Sequence, residues 1–296
     1  MFLRTQGAKS LKLADLFGKT FHIVRNNLIL VQPLLFFMLL AGVFSSSLSG
    51  ITTITPAAIV LIISNIALFC AFLAGWYHMI HKSIVLQTKP AKSEEERAVE
   101  SVKLFNEFIP GVGRYFLDIV IGLILFFVLL FIVMNITGFI GQHYIGIPEG
   151  ITKQDLSTAL INEENAIKFL NSISNADKIK ISKWYILTMT TSGLFSYLTM
   201  FWAPAIIAGN NPFKAYLISL KTVLKRPIAT ISIFLSFWIS AFFISIINSL
   251  SMNNFLLQFL GLVLFVLSIL YFTLMNFLYY DENSENNSTS WTNSFR

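Results

Sequence analysis

His78 and His81 stand three residues apart in an apolar stretch, a spacing that puts two imidazoles on one face of a helix, where they could share a metal ion. They are the candidate metal ligands of this chain. A zinc or iron site needs three or four donors, and the nearest carboxylates along the sequence, Glu94–Glu96, lie beyond the flexible run Lys89-Pro90-Ala91-Lys92. The plainer reading is a pair of interfacial histidines beside Trp76 and Tyr77, so no metal is expected. Asp118 is the acid that falls inside an apolar run. At membrane depth it could pass protons or ions, but Arg114 one turn earlier offers an i, i+4 ion pair instead. A third constellation is a run of hydroxyls (Thr188, Thr190, Thr191, Ser192, Ser196 and Thr199) ahead of Pro204. These side chains either glue helices together or line a polar cleft; Thr191, Ser192, Ser196, Asn65, Asp118 and Asn276 would line the cleft.

The common catalytic arrangements are missing. The chain has no H-E-x-x-H, no G-x-S-x-G, no Walker loop and no paired intramembrane acids. Gly111-Val112-Gly113 reads as a turn too short to cradle a phosphate. The expectation is a non-enzymatic protein with no cofactor, and a lipid-modifying enzyme would need a pocket joining His78, His81 and Asp118.

The elements holding these groups follow from composition. Of 296 residues, 55% are hydrophobic and 12% charged, with a mean hydropathy of +0.70. A soluble domain has about 25% charged residues, so this chain lacks the covering for a water-facing surface. Its single cysteine, Cys70, cannot form an intrachain disulfide. Crossing roughly 30 Å of hydrocarbon takes about 20 apolar residues as a helix. Six runs meet that length: 28–46, 56–80, 115–137, 184–209, 228–250 and 255–280. The fold class expected is an all-α polytopic membrane bundle with six transmembrane helices and interfacial amphipathic helices. It forms a single integral membrane domain over 1–280, with a disordered cytoplasmic tail over 281–296. The first run is expected to be a retained span rather than a cleaved signal. Trp76, Tyr77, Tyr115, Trp184, Tyr185, Trp202, Tyr279 and Tyr280 near span ends read as aromatic belts. Pro33 and Pro204 are expected to bend their spans.

Charge position gives orientation. With the N-terminus inside, sixteen of the 21 basic residues fall on the inner side and the other five lie in the long outer loop 138–183. Both termini are therefore expected in the cytoplasm, in a bacterial inner membrane. The net charge of +6 marks an anionic membrane surface rather than a nucleic acid.

Three leader helices precede the odd-numbered spans. Over 12–27, apolar residues recur at helical spacing opposite Lys12, Lys19 and Asn26; over 211–226, Lys214, Lys221 and Lys225 oppose Phe213, Tyr216, Leu217, Leu220 and Leu224. The third leader, 94–109, sets Val99, Val102 and Phe105 against Glu96, Glu100, Lys103 and Glu107. Lys12, Lys19, Arg25, Lys214, Lys221, Lys225 and Arg226 are the candidate lipid-headgroup contacts. Ala14, Gly18 and Arg25 align with Ala215, Ser219 and Arg226 as a candidate internal repeat. In the outer loop, 155–173 reads as an amphipathic helix.

The stretch Trp202-Ala203-Pro204-Ala205-Ile206-Ile207, then Asn211-Pro212-Phe213-Lys214-Ala215, Ser219 and Lys225-Arg226-Pro227, resembles a known pattern. It is similar to the bacterial integral-membrane domain found with some glycerophosphodiester phosphodiesterases, and to its stand-alone YciC-like relatives of unknown function. The resemblance covers about a third of the chain, roughly 197–280. It implies a fold and a location, with no phosphodiesterase activity, since that catalytic domain is absent. One departure is Gly209-Asn210-Asn211, where relatives usually carry an acid. The expected partners are anionic membrane lipids, with a protein partner or a second copy of the chain also open. The leading reading is a membrane scaffold or a protein of envelope or lipid homeostasis. The other is a transporter subunit using the polar face of span four.

Overall fold

The computed structural model describes residues 13–49, 55–87, 94–148, 163–250 and 254–283. Among these, regular structure is helical throughout, and five helices are long and apolar enough to cross a membrane. In chain order they are α1 (Leu13–Asn26), α2 (Val31–Ser49), α3 (Pro56–Gln87), α4 (Glu94–Lys103), α5 (Phe108–Tyr144), α6 (Glu163–Ser172), α7 (Asn175–Thr199), α8 (Trp202–Ile207), α9 (Pro212–Lys225), α10 (Pro227–Leu250) and α11 (Phe255–Asn283). Tight 3₁₀ turns at Leu28–Leu30 and Leu104–Glu107 lead into α2 and α5. Lys12, the start of the outer-loop helix before Glu163 and the tail 284–296 lie outside the described residues.

Six spans are expected from sequence and five helices qualify. The fourth expected span does not form one helix: α7 ends at Thr199, and α8 restarts at Trp202. α7 also begins among Asp177, Lys178, Lys180 and Lys183, which lowers its apolar character. Prolines mark this break and five other helix starts. Pro33, Pro56, Pro110, Pro204, Pro212 and Pro227 all lie in the first turn of their helices. The missing N–H is no loss there, because first-turn N–H groups have no intrahelical acceptor. Pro33 and Pro204 thus start helices where a bend is expected.

The described residues divide into two compact units, one running to Leu123 and resuming at Thr199, the other Ile124–Leu198. In the second unit, the far part of α5 packs on α7. Gly141 lies under the Trp184 ring, Phe126 meets Phe195 at 5.1 Å between centroids, and Trp184 Nε1 donates to the Gly146 carbonyl at 2.9 Å. Gly146, at φ +78°, turns the chain out of α5.

In the first unit the core sits at one end. Most buried residues of α3 lie from Cys70 to Ile84 and most of those of α11 from Val266 to Tyr280, while α10 buries Thr230 and Ile233 near its start; Ala58, Ile244 and Gly261 are buried outside this end. Toward the opposite end, Leu39 and Val43, Val60 and Ile63, and Leu256 and Phe259 are exposed. Exposed apolar side chains of this density suit hydrocarbon. We call the buried end the collar. It includes Trp76, Tyr115, Tyr279 and Tyr280, so these rings pack inward rather than forming a belt at the lipid surface. An aromatic run Phe37–Phe72–Trp76–Tyr77–Phe277 joins α2, α3 and α11, with neighbouring centroids 4.3–5.8 Å apart.

Gly111, expected in a turn, is inside α5 and makes the closest crossing in the collar. A methyl group built on it would lie 2.5 Å from His78 Cβ and 3.1 Å from Gly75 Cα; Gly75 in turn faces Phe108. Small residues let two backbones approach in this way. Gly113, two residues on, has nothing within 4 Å of such a methyl. Gly111→Ala should therefore destabilise the protein by about 1–3 kcal/mol through overpacking. Gly113→Ala should stabilise it by about 0.4–1 kcal/mol through the unfolded chain. Unfolding titrations of both variants in one detergent check the opposite signs.

Candidate functional site

The collar gathers most of the candidate residues of the first unit, and leader helices α1 and α9 build its sides. α1 packs on α11 through Leu16, Thr20, Ile23 and Val24, one stripe at helical spacing. The Phe17 ring stacks on Tyr271, whose hydroxyl donates to the Phe17 carbonyl at 3.1 Å. Buried Asn27 closes α1 by donating from Nδ2 to the Ile23 carbonyl. Next, Trp76 Nε1 donates to the Leu30 carbonyl at 2.9 Å, tying the 3₁₀ turn to α3.

α9 begins at Asn211, whose Oδ1 accepts from Phe213 N–H, and continues through Pro212 at the first position. Its buried stripe is Pro212, Ala215, Tyr216, Ser219 and Val223. Ser219 resolves the break between α7 and α8, because its Oγ accepts from the Phe201 N–H at 3.0 Å. Tyr216 donates to the Gly122 carbonyl of α5 at 2.7 Å and stacks flat on Trp202 with centroids 5.9 Å apart. Burial pushes the Tyr216 phenol above its ordinary pKa. The polar turn before α9 divides its work. Gly209, at φ +86°, ends α8, Asn210 Nδ2 donates to the Ala205 carbonyl at 2.9 Å and approaches Tyr280 Oη at 3.4 Å, and Asn211 caps α9.

α1 and α9 do not use the aligned small residues alike. Ala215 and Ser219 are fully buried, whereas Ala14 and Gly18 are exposed. The stripes that match in environment are Leu16, Thr20 and Val24 against Ala215, Ser219 and Val223.

Of the candidate headgroup contacts, Arg25, Lys214, Lys221 and Lys225 are exposed. Lys19 is exposed too and donates to Glu282 Oε1 at 2.8 Å. Half-buried Arg226 donates from Nη1 to Asn283 Oδ1, so it ties the end of α9 to α11.

His78 and His81 are 3% and 4% exposed, with ring centroids 6.4 Å apart. A carboxylate from outside this stretch of sequence meets His78. Glu107 Oε2 lies 3.2 Å from His78 Nε2 and 3.8 Å from Lys82 Nζ. Gly111 allows this meeting by bringing the start of α5 onto α3. Glu107 was legible only as one charge on the third leader. Among the described residues no group of three or more His, Cys, Asp or Glu could hold a metal ion.

The candidate polar-cleft residues divide between the units. Thr191, Ser192 and Ser196 belong to the second; Asn65, Asp118 and Asn276 belong to the first. Thr191 and Ser192 donate to carbonyls one turn back in α7, at 2.8 Å each. Asn65 and Asp118 are half-buried, and the Arg114 guanidinium lies over the Tyr115 ring at 5.3 Å. Asn276 lines a cleft of about 230 Å³ with Met200, Phe234 and Phe237.

No protein family, curated protein or solved structure matches this chain.

The hydrogen bonds at the break make a ranked prediction. Ser219→Ala leaves the buried Phe201 N–H without that acceptor and should cost about 1–3 kcal/mol. Tyr216→Phe removes a donor from a helical carbonyl and should cost about 0.5–1.5 kcal/mol. Thermal unfolding in detergent should place Ser219→Ala below Tyr216→Phe, with both below the parent.

Proposed function

We propose that the chain is a non-enzymatic, multi-pass protein of a bacterial cytoplasmic membrane. It acts as a scaffold, or in envelope or lipid homeostasis, by holding anionic headgroups around its collar. The observation that carries this reading is the three-sided character of α9. One side, Ala215, Tyr216, Ser219 and Val223, is buried against the protein. A second, Phe213, Leu217, Leu220 and Leu224, is exposed and apolar; a third presents exposed Lys214, Lys221 and Lys225. A docked helix that turns one greasy and one basic side outward suits the boundary between acyl chains and headgroups. α1 supports the same reading, with exposed Phe21 beside exposed Lys19 and Arg25. The resemblance to the YciC-like membrane proteins agrees with this location.

Each lysine at an anionic surface contributes about 1 kcal/mol. Replacing Lys214, Lys221 and Lys225 by Gln together should lower the preference of the lipid shell for phosphatidylglycerol over phosphatidylcholine at least tenfold. Spin-labelled lipids in proteoliposomes measure that preference, and an unchanged value would overturn the reading.

In this proposal α7 and α8 together make the sixth crossing, as a broken helix, and both termini are cytoplasmic. Cys70 is 1% exposed, so cysteines introduced near each end can be labelled over a low background. Both should react from the same face of sealed vesicles; opposite faces would indicate an odd number of crossings.

The transporter reading draws on the α7–α8 break and the neighbouring Asn276 cleft, since broken helices commonly hold cargo. Against it, the Thr191 and Ser192 hydroxyls are already bonded to carbonyls of their own helix.

A further inference from the structure

A lateral cleft of about 340 Å³ opens between α2 and α3 at the lower edge of the collar. Its volume is within the usual range of ligand sites, about 300–1,000 Å³. Phe36 and Leu40 of α2 and Ala71 of α3 form its walls, and Phe105 and Phe108 roof it. Among the described residues the one polar side chain lining it is Gln32, in the first turn of α2. From Gln32 to Leu40 the wall runs about 12 Å along the helix, at 1.5 Å per residue. The cleft is thus a slot with an apolar body and a polar head.

Two cations stand on the connections that lead to the head of the slot. Arg25 is exposed in the last turn of α1, immediately before the 3₁₀ turn that leads to Gln32. Lys103 is exposed at the end of α4, immediately before the turn that carries Phe105. The two connections belong together, because α1 packs on α4 and the turn Leu28–Leu30 packs on the turn Leu104–Glu107. Glu107, the carboxylate on that second turn, meets His78 and Lys82, and Glu100, one turn before Lys103 on α4, is half-buried.

We propose that this cleft is a discrete binding site for one anionic diacyl phospholipid. An acyl chain lies in the slot, the ester region meets Gln32, and the phosphate meets Arg25 and Lys103. The site rests on the reading of the collar as the headgroup-level zone, but it uses neither α9 nor its lysines. It therefore differs from a general lipid shell in having a fixed stoichiometry and a steric limit.

Native mass spectrometry of the detergent-purified full chain, given equal palmitoyl-oleoyl phosphatidylglycerol and phosphatidylcholine, tests it. The expected result is one retained phosphatidylglycerol per chain, at least tenfold preferred. Ala71→Phe, which fills the slot, should abolish retention while melting like the parent. The double variant Arg25→Gln with Lys103→Gln should keep the slot and reduce the preference to near parity. If Ala71→Phe does not fold, the double variant decides alone, and an unchanged preference overturns the proposal. Equal uptake of both lipids by the parent, or retention by a folded Ala71→Phe variant, also overturns it. The Lys214, Lys221 and Lys225 triple variant should leave this lipid in place. If that variant loses it while the double variant keeps it, the α9 reading stands and this site does not.

Discussion

The hydrocarbon layer is thinner than the three longest helices of this chain, and much of the architecture answers to that mismatch. At 1.5 Å per residue, α3, α5 and α11 are about 48, 55 and 43 Å long, against roughly 30 Å of hydrocarbon. The excess cannot stay as bare helix ends, since each would present apolar rings to water. In the first unit the overhanging parts of α3 and α11 and the start of α5 are brought to the same end and packed against one another. The leader helices fill the gaps between them. Burial is one-sided for that reason. The collar is built like the core of a soluble domain, whereas the far halves of α2, α3, α10 and α11 keep large side chains facing outward, where lipid can solvate them.

A second constraint acts within the collar, where backbone groups freed at helix breaks must find partners without water. Each break is matched by a particular side chain. Ser219 serves the Phe201 N–H, Trp76 the Leu30 carbonyl, and Asn211 the start of α9. In α9 Ala215 and Ser219 are buried where the backbone approaches a helix break, and Phe213, Leu217 and Leu224 are left for lipid; α1 instead buries Leu16, Ile23 and Val24.

The apolar runs and the leaders were legible in the sequence, because each depends on local composition; Pro33 and Pro204 read as bends within spans, and only the structure makes them first-turn residues. Helix length was harder to see. A hydropathy window detects the apolar middle of α3 or α5 but does not separate an amphipathic overhang from a loop. Gly111 illustrates the limit: between Pro110 and Gly113 it reads as a turn, and only the approach of α3 makes it the small residue of a helix crossing. The site was less legible still. His78 and Glu107 meet across a crossing that no local pattern announces, and Arg226 turned inward because Asn283 lay beside it. The exposed lysines of α9 were readable, since their periodicity is local and nothing from elsewhere in the chain competes for their face.

The prolines that open helices have a consequence for how this chain can vary. Pro56, Pro212 and Pro227 are each the first residue of their helix and hold its angular phase, because the residue before a proline resists helical geometry and the start cannot migrate backward. Deleting one residue between such a start and the buried stripe would rotate everything beyond it by about 100°. In α9 that would carry Ser219 away from Phe201 and swing a leucine toward the protein. Point changes on the outward faces can accumulate, but insertions and deletions are confined to the connections between helices. The prolines act as phase marks, and length is the variable they do not allow to drift.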